Sequence, residues 1–314
     1  MRVRPADLDD TQLGRFLAGT WGPRLVDLAY APVGYGSHHW IATTDTGTRR
    51  FVTVDALGPG RRLADLRAAI GSAAALRDAG VRFVVAPLPA RTGELVVPFG
   101  ETYAVAVLPY VDARPWPSGE QSAVLELLVA VHGAPSHAVP AARDDLAIEA
   151  RDDLEEALQG LGQPWTAGPY SARCRDLLAA QAPQVDRRLA AYDDLVAACR
   201  ARDEPVLLTH GEPKPDNLLV TDPGPVLVDW DTALLAPPAR DLWWLAADVP
   251  DLVGRYAALT GRALHPDDLA LYALRWDLTD LALFVRDLRA PHVADADTAV
   301  AWAAVQRIIR GHPG

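Results

Sequence analysis

A single β-rich interruption within an otherwise helical stretch constrains this chain more than any other feature. Beyond residue 113 apolar residues recur mainly at helical spacing, and residues 206–229 are the exception. That interruption carries Thr209-His210-Gly211-Glu212-Pro213-Lys214-Pro215-Asp216-Asn217, followed by Val228-Asp229-Trp230-Asp231. The pattern predicts a strand, a loop stiffened by Pro213 and Pro215, and a return to strand. A carboxylate, a lysine, an amide and two further carboxylates are thereby gathered in one short unit.

The first third of the chain reads differently. Val26–Tyr30, His39–Thr44 and Arg50–Asp55 are strand candidates, separated by the turn signals Val33-Gly34-Tyr35-Gly36-Ser37 and Asp45-Thr46-Gly47-Thr48. After a break at Gly58-Pro59-Gly60, residues 63–79 predict a helix. Leu63, Leu66, Ile70, Ala73 and Leu76 share a face, and Gly80 is the stop. Val81–Pro87, Glu94–Pro98 and Tyr103–Leu108 are further strand candidates. The expectation is a twisted sheet plus one helix over residues 1–110, and a mainly helical lobe over 113–314 joined through Pro109–Pro115. Helices are expected over Val124–His132, 144–161, 171–202, 240–260, 267–288 and about 297–310.

With 314 residues, half of them apolar, the chain can bury the core of two lobes. A net charge of −11 disfavours nucleic acid, whose binding needs clustered Lys and Arg, and suits a cationic small molecule. Cys174 and Cys199 form no C-x-x-C pair, which argues against a disulfide framework or a zinc site. Met1–Asp7 is polar, and the apolar run Tyr103–Val111 is too short to span a membrane. A cytoplasmic protein, monomeric or homodimeric, is expected.

Phosphoryl transfer asks for Mg²⁺ on the phosphates, an oriented hydroxyl and positive charge on the transferring group. Asn217 and Asp229 offer the hard oxygen ligands Mg²⁺ prefers. Glu212 lies five residues before the amide on the same loop, within reach of a hydroxyl. His210-Gly211-Glu212-(four residues)-Asn217, a short strand and Asp229 together resemble the catalytic segment of the aminoglycoside phosphotransferase family, a branch of the protein-kinase-like fold. Arg240-Asp241-Leu242-Trp243 and Leu128–His132 resemble that family's following segments, and the likeness spans the chain in order. It implies a two-lobed α+β fold and ATP or GTP with Mg²⁺ as cofactors. It also implies a hydroxyl of an aminoglycoside- or aminocyclitol-like antibiotic, or a related metabolite, as acceptor. By the same likeness Glu212 orients or deprotonates the hydroxyl, Asn217 and Asp229 bind Mg²⁺, Pro109-Tyr110-Val111 hold the base, and Asp241 supports the loop.

Three departures stand out. Glu212 replaces the family's Asp, and a shift of about 1 Å can cost roughly a hundredfold in rate. Phe51-Val52-Thr53-Val54 matches the strand whose lysine grips the nucleotide phosphates, so Thr53 occupies the lysine position. The lysine's glutamate partner on the next helix has no clear equivalent, Asp65 being the nearest. Lys214 is expected to supply the charge Thr53 cannot.

Several residues carry two readings. Gly34 and Gly36 either cover nucleotide phosphates or form an ordinary hairpin turn. His38 and His39 read as surface histidines or as phosphate contacts, and His210 as loop support or as a base. Asp231 reads as a substrate contact, a second metal ligand or a turn cap. The acidic face of 144–156 is a solvated helix face or a lure for a polyamine-like substrate. Trp276, Asp277 and Asp280, with Phe284, line a substrate site or pack in the core. The functional alternative is a catalytically impaired kinase-like protein that binds a ligand or partner without phosphoryl transfer.

Overall fold

In chain order the first elements are α1 (Asp10–Trp21), β1 (Leu25–Ala31), β2 (His38–Thr44), β3 (Arg49–Ala56), α2 (Leu63–Asp78), β4 (Val96–Phe99), β5 (Tyr103–Pro109), β6 (Arg114–Pro115) and α3 (Gln121–His132). Then come α4 (Arg151–Gln159), α5 (Ser171–Arg202), β7 (Leu207–Thr209), β8 (Leu218–Thr221), β9 (Gly224–Leu227) and β10 (Leu234–Ala236). The last are α6 (Ala239–Leu242), α7 (Leu252–Thr260), α8 (Pro266–Arg289) and α9 (Ala296–Arg310). This computed structural model describes residues 1–58, 60–135, 138–202 and 206–311; Pro59 of the expected Gly/Pro break lies outside them. The chain divides into two compact units, Met1–Asp144 with Pro205–Leu264, and Asp145–Glu204 with His265–Gly314.

The first unit is built on an antiparallel sheet of order β1-β2-β3-β5-β4. Alternation sorts its side chains onto two faces. Trp40, Val52, Val54, Val105 and Val107 pack on one face with Leu13, Leu17 and Trp21 of α1. Val96, Ala104 and Ala106 pack on the other with Leu66 and Ile70 of α2. Thr53 pairs with Ala106 and Asp55 with Ala104, which puts Thr53 and Asp55 on the α2 face. The same unit holds a three-stranded sheet, β6-β8-β9, and the pair β10-β7.

Helix α1 is an element the sequence reading omits. Its signals are Asp9, whose carboxylate accepts from Gln12 N at 2.8 Å, and the buried Leu13, Leu17 and Trp21 at four-residue spacing. Val81–Pro87 forms no strand. It crosses beside β9, where Val85 N donates to Leu227 O at 3.1 Å and Leu227 N to Phe83 O at 2.8 Å. The helix expected over 240–260 is two helices, α6 and α7, broken where Asp251 takes the left-handed conformation and caps Gly254.

The second unit is helical. The helix expected over 144–161 begins only at Arg151, because Leu146 and Ala150 adopt left-handed backbone at φ 61° and 57°. Leu146 O accepts from Tyr192 OH at 2.7 Å, which fixes the chain in that extended approach. Its acidic residues are partly neutralised, since Arg151 binds Glu155 and Asp193, and Arg289 binds Glu156. Inside the unit Arg188 bridges α5 to Asp277 of α8 at 2.6 Å and to Ile308 O of α9 at 3.1 Å. Asp295 and Thr298 form a capping box at the start of α9. Among the described residues no helix is long and apolar enough to cross a membrane, and both cysteines are free.

His39 is neither a surface histidine nor an open one. It is 8% exposed, stacks on Phe51 at 4.9 Å, and its Nδ1 lies 3.3 Å from Thr53 Oγ1. Burial, then the positive charges of the N-terminus, His38 and Arg61, push its imidazole down to about 4. An unfolded histidine titrates near pH 6.5, so between these values the unfolded chain binds the extra proton and stability falls as pH falls. Urea unfolding at pH 7 and pH 4.5 should show the wild type losing about 2 kcal/mol more than His39→Gln. Equal losses in the two proteins would contradict this assignment.

Candidate active site

One buried carboxylate organises the loop after β7. Asp241, fully buried in α6, accepts from His210 N at 2.9 Å and Gly211 N at 2.6 Å. Its Oδ2 also lies 3.0 Å from His132 Nε2 at the end of α3, whose Nδ1 lies 3.1 Å from Tyr256 OH of α7. Burial alone would raise the Asp241 carboxyl. The His132 hydrogen bond, with electrostatic attraction from His132 and the Arg240 guanidinium, outweighs it and holds the group below the usual carboxylate range. An ionised carboxylate with three donors is what two adjacent loop amides require in a dry interior.

His210 is buried beneath the loop. Its Nε2 donates to Val228 O at 2.8 Å, and its Nδ1 accepts from Glu212 N at 3.2 Å, which defines a neutral tautomer. Burial, the largest cause, keeps the ring's proton affinity down. Gly211 has φ 101°, and a Cβ there would fall 2.5 Å from the Arg240 guanidinium, so both backbone and space exclude a side chain. Arg240 in turn donates to Thr209 Oγ1 at 3.0 Å and Thr232 O at 2.7 Å, while Thr232 Oγ1 donates to His210 O at 2.9 Å.

The candidate site residues follow on the same loop and just after β9. Asn217 Nδ2 donates to Glu212 O at 2.9 Å, and Val228 N donates to Asn217 O at 3.0 Å, placing the amide between Glu212 and the Asp229 segment. The amide nitrogen is thereby engaged, and its oxygen is the ligand atom a cation would take. Asp229 has left-handed backbone at φ 67°, a conformation worth about 1–3 kcal/mol of strain that clusters at working sites. Surrounding protein, then the charges of Asp231, Glu212 and Asp55, push its carboxyl well up, with Arg61 opposing.

Among the described residues no cluster of three or more His, Cys, Asp or Glu forms a metal cage. Mg²⁺ needs none, because it takes one or two protein oxygens with the rest from phosphate and water. Asn217, Asp229 and their crowded carboxylate surroundings fit it.

Other expected site residues are spread more widely. Gly34 and Gly36 form the exposed β1–β2 turn with φ 69° and 92°. Pro109 ends β5, and the Tyr110 ring lies 4.0 Å beneath the Arg49 guanidinium, with Val111 next in the connector. Lys214 Nζ sits 4.9 Å from the Trp243 ring centroid. Thr53 is 9% exposed against His39. Asp65 pairs with Arg62 at the surface. Trp276, Asp277 and Asp280 lie on α8 in the other unit, where Asp277 meets Arg188 and Asp280 lies 3.8 Å from Arg307.

Sequence reasoning missed a second cluster. Arg61, in the loop before α2, binds Asp55 through Nη1 and Asp231 through Nη2, the latter at 2.7 Å. Ser37 Oγ donates to Asp55 Oδ1 at 2.6 Å and accepts from Arg61 at 3.0 Å. The one available signal was Asp55, a charge at an alternating position otherwise facing the core.

Replacing Asp241 with Ala strands three donors in the interior. Equilibrium unfolding in urea should record a loss of about 3–5 kcal/mol. A loss below about 1 kcal/mol would show that the loop amides are satisfied otherwise.

A model of the phosphotransferase enzyme family matches residues 27–275. Protein StrN of Streptomyces griseus is 31% identical over 251 residues, spanning 74% of each chain. Among solved structures, spectinomycin phosphotransferase in complex with ADP and spectinomycin is similar at a TM-score of 0.72 and 14% identity, covering 96% of both chains. Amicoumacin kinase in complex with AMP-PNP, Ca2+ and Ami gives 0.57 at 12% identity, covering 98% of this chain and 95% of that one. A thermostable mutant of an aminoglycoside phosphotransferase, in its apo form, gives 0.57 at 16%, covering 96% and 99%. These likenesses are of fold: a β-rich N-terminal region and a helical C-terminal region of the kinase-like kind. The match running from β1 into α8 shows that this chain belongs to the phosphotransferase enzyme family and is an enzyme of its small-molecule type.

Proposed function

We propose that this enzyme moves the γ-phosphate of ATP or GTP to a hydroxyl of a small, cationic acceptor of the aminoglycoside or aminocyclitol type. The observation that carries the reading is the loop pinned by Asp241, which sets Glu212, Asn217 and Asp229 around one another. The acceptor class draws on fold relatives solved with spectinomycin or, in another case, hygromycin B, and on the net charge of −11. Residues 1–110 are assigned to the nucleotide and 113–314 to catalysis and the acceptor.

In the reaction the acceptor oxygen forms a bond to the γ-phosphorus while the bond to the bridging oxygen of the diphosphate breaks. The hydroxyl proton passes to Glu212, and the nucleoside diphosphate leaves with the bond's electrons. Asn217 and Asp229 hold Mg²⁺, which neutralises phosphate charge when bound. The Pro213 and Pro215 rings limit the loop's freedom, so Glu212 is oriented before substrate arrives. Lys214 steadies the transferring group, leaving Trp243 to do so. The turn at Gly34 and Gly36 covers the phosphates, and Pro109, Tyr110 and Val111 meet the base.

Steady-state kinetics with MgATP, MgGTP and a panel of aminocyclitol and aminoglycoside acceptors tests this reading. Glu212→Gln should lower kcat by roughly 10²–10⁴-fold with little change in nucleotide KM. Lys214→Ala should lower turnover as well. Tight acceptor binding with no nucleotide consumed by any acceptor would instead support the ligand-binding alternative that Thr53 raises.

A further inference from the structure

The family resemblance calls for a cation on β3 and an acid on the helix after it, and this chain has neither in place. Thr53 stands at the cation position, and Asp65 spends its charge on Arg62 at the surface. The structure nevertheless contains a cation–acid pair at the C-terminal end of β3, with the two partners exchanged along the chain. The acid is on the strand: Asp55, two residues beyond Thr53 and on the same face. The cation is on the helix side: Arg61, in the loop that leads into α2.

Four features mark this pair as more than a surface contact. Asp55 is fully buried, while the Arg61 side chain keeps 30% of its surface, so the pair presents its cation outward. Ser37, the residue after the glycine turn, braces both partners, which ties Arg61 to the segment carrying Gly34 and Gly36. Arg61 Nη2 reaches Asp231, two residues past the metal candidate Asp229. Asp55 Oδ2 is buried with no hydrogen-bond partner, an expense that stability alone does not explain. Arg61 therefore stands between the glycine turn and the metal-binding segment, where a phosphate chain spanning both would pass. A guanidinium offers several donors in a fixed fork, so it can keep Asp55 on one nitrogen and give another to a phosphate oxygen.

Resting on the phosphotransferase reading above, we propose that Arg61 is the residue that grips the nucleotide phosphates, oriented by Asp55 and Ser37, and that Asp231 yields its place on Arg61 when Mg-nucleotide binds. The lost strand lysine and helix glutamate are thus replaced by a strand aspartate and a loop arginine.

The test combines calorimetric binding of MgADP and MgATP with steady-state kinetics and thermal melts, on the wild type and four variants. Arg61→Ala should weaken nucleotide binding by about tenfold or more. Arg61→Lys should recover part of that loss, as a purely structural role would not allow. Because Arg61→Ala leaves Asp55 buried and alone, the double variant Asp55→Asn with Arg61→Ala supplies a folded control, and it should bind nucleotide as poorly. Adding Thr53→Lys to Arg61→Ala should restore binding by returning a cation to the strand beside Asp55. A folded Asp55→Asn, Arg61→Ala variant that binds both nucleotides within about twofold of wild type overturns the role of Arg61. A wild-type chain that binds neither nucleotide overturns the phosphotransferase reading itself.

Discussion

The site depends on one ionised carboxylate in the interior. Asp241 fixes two successive backbone amides of the β7 loop and is itself fixed by His132, which joins α3, α6, α7 and the loop in a single hydrogen-bonded chain. A buried charge is tolerated only when its donors are complete, so the arrangement is close to all-or-none. Gly211 adds a condition of its own, since its φ of 101° strains any larger residue and a Cβ would press on the Arg240 guanidinium. With the amides held, the Glu212 backbone is bonded on both sides, its N donating to His210 Nδ1 and its O accepting from Asn217 Nδ2.

Much of this was legible in the sequence because the relevant residues are close in the chain. The strand–loop–strand unit, its prolines and its acids lie within 209–231, where spacing alone places them together. The helices α2, α3, α5, α8 and α9 were legible from apolar periodicity for the same local reason. What escaped depends on distant partners or on backbone choices without a clear local signal. The left-handed turns at Leu146 and Ala150 interrupt a stripe that periodicity reads as one helix. Val81–Pro87 has strand composition, but it lies against Leu227 rather than within the sheet. Arg61 follows a Gly/Pro break and reads as a loop residue, and its meaning comes from Asp231, 170 positions away.

Charge balance explains why the departures come as a set. Removing a strand lysine while keeping a helix glutamate would leave a buried acid without a counter-ion. Here both are absent, and Asp55 forms an ion pair with Arg61 from neighbouring positions. Four carboxylates, Asp55, Asp229, Asp231 and Glu212, crowd one region with Arg61 as a cation among them. Such a region gains from added positive charge, which a metal ion arriving with nucleotide would bring. In this view Thr53 belongs to a rearranged phosphate-holding apparatus in which Arg61 supplies the cation.

A crystal structure of the wild-type chain with Mg²⁺ and a non-hydrolysable ATP analogue tests that view most directly. Asn217 and Asp229 should lie on the metal, with Arg61 hydrogen-bonded to phosphate oxygen, still held by Asp55 and released from Asp231. Arg61 remaining on Asp231, with the phosphates held by other cations or by none, would contradict it.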